Sequence, residues 1–216
     1  MRLAAITVLI LSVWQVLSAQ PGLTELRGQE KFNWQVDSLS PRLSIYYQPG
    51  SSIDGKMEKV RKKVLSQIDS VLEFMGLDDY RPRIHLFVVE SRSQMKDLVG
   101  WETNGSAFFK ENVVTGITST IWSIYSTHEF FHTIATNVWG VPDLWLNEGM
   151  AVYCDKNWNG YDFHQLAKFL VDKKKYISIQ KLIKNLRKEN SSISYPLLGS
   201  FVRYLDETYG RDLILK

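Results

Sequence analysis

One cysteine, Cys154, four histidines, and no long apolar run beyond the first twenty residues are all this chain offers of three common structural devices. A lone thiol cannot close an internal disulfide, so the fold must be held by its core or by a metal. Without a later stretch of about 20 apolar residues, nothing after the N-terminus is suited to cross a bilayer. An excess of charge is missing too. The 26 basic and 23 acidic residues leave a formal +3, which makes no electrostatic case for a nucleic-acid partner. The short basic runs Arg61–Lys63 and Lys173–Lys175 read as solvated helix faces. No internal repeat, low-complexity tract or linker divides the chain. With 44% hydrophobic and 23% charged residues, it reads as one compact globular domain.

The first residues, MRLAAITVLILSVWQVLSAQ, have the order of a secretory signal peptide: Arg2, an apolar run from Leu3, and small residues at Ser18-Ala19. The expectation is a signal peptide over 1–19 and an exported mature chain from Gln20. Membrane attachment is expected only if that segment stays uncleaved. Residues 20–42 show no clear period and read as a lead-in to a domain over 43–216.

Leu43, Ile45 and Tyr47 alternate with Ser44 and Tyr46 before Pro49-Gly50, the pattern of a half-buried strand ending in a turn. Ile53, Met57, Val60, Val64, Ile68, Val71 and Met75 then recur at helical spacing, with Gly76 where a C-terminal cap belongs. Ile84–Glu90 is a compact apolar run of strand length, and Ser91–Gln94 has capping-box spacing for a short helix. His85, without a partner at ligand spacing, reads as structural. Strand candidates lie at 105–109 and 113–118. The pattern is helical from Ser126 to Val138, and Gly140 and Pro142 stop it. Asp143 is placed to cap the next helix, and further helices are expected at 162–173, 179–188 and 196–209, the last opening with Pro196. Strands and helices first, helices alone afterwards, predicts an α+β fold.

Residues 127–132 read THEFFH, and sixteen positions after His132 stands Glu148, in WLNEGMAVY. On an α-helix His132 lies about 40° round from His128 and about 6 Å along the axis, so both imidazoles point the same way. Glu129 lies about 60° beyond His132, on the same side but offset, which suits a carboxylate that contacts a metal-bound water. A catalytic zinc usually takes three protein ligands and keeps one position for water. Glu148, on the helix returning beside the first, is the leading third ligand, and His164 on the next is the alternative. Random order would produce HExxH in roughly four such chains per thousand, so the helical context and the following Glu carry much of the weight.

THEFFH followed by WLNEGMAVY resembles the gluzincin branch of zinc metallopeptidases. PDLWLNEG with GSFVRYLDETYG resembles the small bacterial peptidase MA-like domains, over about residues 43–210. The resemblance implies a zincin-like fold, with a twisted sheet over the active-site helix and a helical C-terminal subdomain. It also implies a Zn2+ cofactor held by His128, His132 and Glu148, with Glu129 as general base. Asn147 would hold an imidazole, and Tyr195 would donate to the oxyanion. The activity implied is cleavage of internal bonds in a peptide or protein substrate. A catalytically inactive zincin-fold scaffold and a zinc hydrolase of non-peptide amides are the alternatives. Two departures stand out. The GxMEN segment that grips a free amino terminus in aminopeptidase-N-like enzymes is missing, so exopeptidase action is not implied. Val152 stands where thermolysin-like enzymes carry an Asp, four residues after the ligand glutamate. Asp155 reads as a surface residue and Cys154 as packing. VVTGIT is expected at the sheet edge, where an extended substrate could pair with it and Gly116 would allow close approach.

Overall fold

The computed structural model describes residues 21–118 and 127–214. The expected signal peptide lies outside the described residues. Among those described, no helix is long and apolar enough to cross a membrane. The architecture is α+β: a five-stranded mixed sheet in the first half and a largely helical second half.

The sheet is built from β1 (Gln35–Ser40), β2 (Leu43–Tyr47), β3 (Ile84–Val89), β4 (Gly105–Phe108) and β5 (Val113–Ile117), in spatial order β1-β2-β3-β5-β4. β2, β3 and β5 run parallel, while β1 and β4 close the two edges antiparallel. VVTGIT is therefore not at the edge. β5 is paired on both sides, and the free edge belongs to β4.

The half-buried reading of β2 also changes, because Ser44 and Tyr46 are buried along with Leu43 and Ile45. Both faces of the sheet are covered. Leu43, Ile45, Leu86 and Val88 face one core, shared with α2 (Met57–Met75). Tyr46, Phe87 and Val89 face a second core, closed by α1 (Leu23–Arg27) and α3 (Arg92–Val99) through Leu26, Met95 and Leu98. Residues 23–40, read as a lead-in, thus supply a helix and a strand. Leu26 is fully buried, and Arg61 of α2 pairs with Asp37 of β1.

Local signals set the helix ends. Leu77 N–H bonds the Leu72 carbonyl and Gly76 N–H that of Glu73, the paired bonds of a Schellman cap on α2. At α3 the Ser91 hydroxyl accepts from the Gln94 N–H, while the Gln94 side chain accepts from the Glu90 N–H, a shifted capping box.

The second half starts with α4 (Thr127–Trp139) and α5 (Leu144–Asp155), an antiparallel pair turned at Gly140. Asp143 precedes α5, but its side chain makes no cap bond. A hairpin of β6 (Asn157–Trp158) and β7 (Tyr161–Asp162) follows, then α6 (Phe163–Asp172), α7 (Ile179–Asn185), α8 (Ser191–Tyr209) and the short α9 (Arg211–Ile214). α8 begins five residues before Pro196. The Asn190 side chain accepts from the Ser192 N–H and starts the helix there, so the proline sits inside it. α5 and α8 approach closely at two glycines. A Cβ on Gly149 would stand 2.6 Å from Val202, and one on Gly199 2.6 Å from Val152. That contact lays α8 against the residue next to Glu148.

Candidate metal centre

HEFFH lies on the first two turns of α4, and NEG lies on α5. Because the two helices are antiparallel and joined by a short turn, Glu148 returns to the level of the two histidines. His128 Nε2 and His132 Nε2 are 3.1 Å apart, and Glu148 Oε2 is 3.2 Å from the first and 3.3 Å from the second. These three residues form the one group among the described residues whose donor atoms converge in this way, all within 4.8 Å. An ion with tetrahedral bonds of about 2.0–2.1 Å needs ligand atoms about 3.3–3.4 Å apart. The observed triangle has that size, so the donor set fits a small cation.

Asn147 orients one of the two imidazoles. Its side-chain oxygen lies 3.0 Å from His132 Nδ1, so that nitrogen carries the proton and Nε2 turns a lone pair to the cluster. In the metal-free protein, protons fill the same role. Burial opposes a charged His132, yet the Glu148 carboxylate, together with Glu129 and Asn147, outweighs it and raises the ring to about 9. Burial likewise opposes the charge on Glu148, but His132 and His128 hold its carboxyl far below the usual range.

Glu129 is offset from the triangle and partly buried. Burial raises its pKa, and the two histidines counter this only in part. Gly105 at the start of β4 forms its lid. A Cβ there would come within 3.0 Å of Glu129 Cγ and 3.1 Å of the Thr115 carbonyl oxygen.

Tyr195 faces the same cluster from the second turn of α8. Burial, with the negative charge of nearby Glu148 and Glu129, drives its hydroxyl pKa well above the ordinary range. The ring is 6.2 Å from that of His128 at 26°, and Trp158 stacks on it at 4.4 Å and 28° while lying 6.0 Å from His128, so the three rings form a triangle. Trp158 went unmarked in the sequence. Its signal was Asn159-Gly160, both with positive φ, the preferred pair for a two-residue hairpin turn.

His164 is not part of the cluster. It lies on α6 and its Nδ1 sits 2.7 Å from the Ser200 hydroxyl of α8. Asp155 is not a plain surface residue either. One carboxylate oxygen accepts from the Thr127 N–H at 2.8 Å and its hydroxyl at 2.6 Å, so the last residue of α5 caps the first of α4. A negative charge there also complements the helix dipole. Cys154 packs in the core as expected, and burial pushes its thiol up to about 12. No protein-family model matches the chain, and no curated protein does.

Proposed function

We propose that the protein is an exported zinc metallopeptidase of the gluzincin type, built on a zincin-like fold and cleaving internal peptide bonds. The observation that carries this reading is the convergence of His128, His132 and Glu148 at ion-holding distances beside a partly buried carboxylate, Glu129. Two imidazoles, one carboxylate and a place for water are the ligand set of catalytic zinc in peptidases. Zinc held there would polarise the scissile carbonyl and make water a nucleophile at neutral pH.

The chain's own groups do the rest. Glu129, partly buried and with its pKa raised by desolvation, is suited to take a proton from the attacking water and return it to the departing amine. Asn147 holds His132 in the ligating tautomer. Tyr195, its hydroxyl held protonated by burial and by the charges of Glu148 and Glu129, would donate to the developing oxyanion. Substrate alignment falls to β4. Its outer edge pairs with no other strand among the described residues, and Gly105 lies against Glu129, so an extended peptide adding to the sheet there would pass the base.

The test is to incubate wild type and Glu129→Gln with a diverse peptide mixture and read cleavage by mass spectrometry, with zinc content measured on both. Internal cuts by wild type, reduced about 10²–10⁴-fold in a variant that keeps its zinc, are expected. Glu148→Ala should lose the metal after dialysis. Zinc bound by both proteins with no cleavage by either would replace the peptidase reading with that of a scaffold or a hydrolase of other amides.

A further inference from the structure

Away from the metal centre, the charge of the chain is unevenly spread. Residues 168–190 hold eight lysines and arginines against Asp172 and Glu189, a net +6 in a chain whose total is +3, so everything else sums to −3. All eight basic side chains are exposed. At the tip of this segment, where α6 ends, large apolar side chains are exposed with them: Phe169 is 53%, Val171 52% and Tyr176 58% accessible.

The turn itself breaks a local rule. Lys175 N–H bonds the Leu170 carbonyl and Lys174 N–H that of Val171, the two bonds of a Schellman cap, with Lys174 in the left-handed conformation at φ 55°. Glycine is the residue that fits this place without strain. The chain instead puts the middle of three consecutive lysines there. Asp172 is already paired with Lys168 at 2.8 Å, and among the described residues no carboxylate pairs with Lys173, Lys174 or Lys175. Backbone strain and like-charge repulsion at one turn, beside exposed Phe and Tyr, mark a place where local stability yields to another requirement.

We infer that the α6–α7 knuckle, centred on Phe169–Tyr176, is a docking surface for an anionic lipid bilayer. Lys173–Lys175 would meet the lipid phosphates, and Phe169, Val171 and Tyr176 would enter the headgroup boundary. Lysines beside aromatic and aliphatic side chains are the composition of interfacial anchors. Nucleic acid and acidic proteins satisfy the charge but leave the aliphatic Val171 and the ring of Phe169 without a low-polarity partner. Nothing in this inference depends on peptidase activity.

The full chain would be tested by vesicle sedimentation, comparing phosphatidylcholine alone with phosphatidylcholine containing about one-third phosphatidylglycerol, at low and high salt. The triple variant Lys173→Glu/Lys174→Glu/Lys175→Glu and the single variant Phe169→Ser change exposed side chains only, and circular dichroism checks their fold. Wild type should prefer the anionic vesicles by about a hundredfold, the size expected of three surface lysines, and lose that preference at high salt. The triple variant should bind both vesicles alike. Phe169→Ser should weaken anionic binding several-fold while keeping its salt dependence. Any contribution of residues 3–19 is common to all three proteins and cancels. Equal binding of wild type to both vesicles, or charge reversal without effect, overturns the inference. So does capture by immobilised heparin or an acidic peptide with no binding to anionic vesicles.

Discussion

Asn147 never touches the ion position, yet it decides which nitrogen of His132 does. Asn147→Ala should therefore loosen zinc about 10–100-fold in a chelator competition while leaving the circular dichroism unchanged. Protons compete for the same site. In the chelated protein His132 titrates near 9, above the ordinary value of about 6.5. Its raised pKa stabilises the metal-free fold in full below about 6.5, and that contribution is lost as pH rises through about 9. Glu148, with a depressed pKa, contributes above about 4.5 and loses its contribution as pH falls toward its folded value. The melting temperature of chelated protein should accordingly fall between pH 6.5 and 9.5. Zinc uptake at pH 8 should release close to one proton from His132, seen as a dependence of calorimetric heat on the buffer's ionisation enthalpy. Gly105→Ala offers a separate test of the base. A Cβ there crowds Glu129 and the Thr115 carbonyl, so kcat should drop at least about tenfold with zinc content unchanged.

At the scale of elements, α4 and α5 are fastened at the end opposite their turn. Asp155→Ala removes both bonds to Thr127 and the charge at the α4 N-terminus. The expected cost is about 1–2 kcal/mol, read as a melting temperature lower by several degrees. Trp158→Ala should release Tyr195 from its stack and lower kcat with little change in zinc affinity, whereas a purely structural tryptophan would lower stability alone. Residues with a strong period or cap were legible in the sequence: α2 from its apolar stripe, α3 from Ser91 and Gln94, and the ligand helices from HEFFH and Gly140. The sheet order was less so. Parallel pairing is decided by contacts between segments far apart in the chain, and a run such as VVTGI looks the same at an edge or in the middle. Pro196 misled because a proline suits a helix's first turn, but the cap at Asn190 sits earlier still. Asp155 was missed because its partner, Thr127, is 28 residues away.

For the molecule as a whole, the candidate centre joins three elements, with His128 and His132 on α4, Glu148 on α5 and the Tyr195 ring of α8 against that of His128. Zinc at about a hundred times its dissociation constant should add about 2.7 kcal/mol to unfolding, so chelation should lower the melting temperature and make it depend on zinc concentration. The Thr127–Asp155 bonds have a further effect, on the order of assembly. They close the α4–α5 hairpin at its open end, and all three ligands lie between them within 21 residues of chain. The contacts among His128, His132 and Glu148 span at most 20 residues, against 28 for Thr127–Asp155 and for the β3–β5 pairing and 41 for β2–β3, so they cost the least loop entropy. The hairpin is thus suited to form before the sheet and to capture its ion early. Zinc present from the start of refolding should then speed folding, where an ion captured last would only slow unfolding.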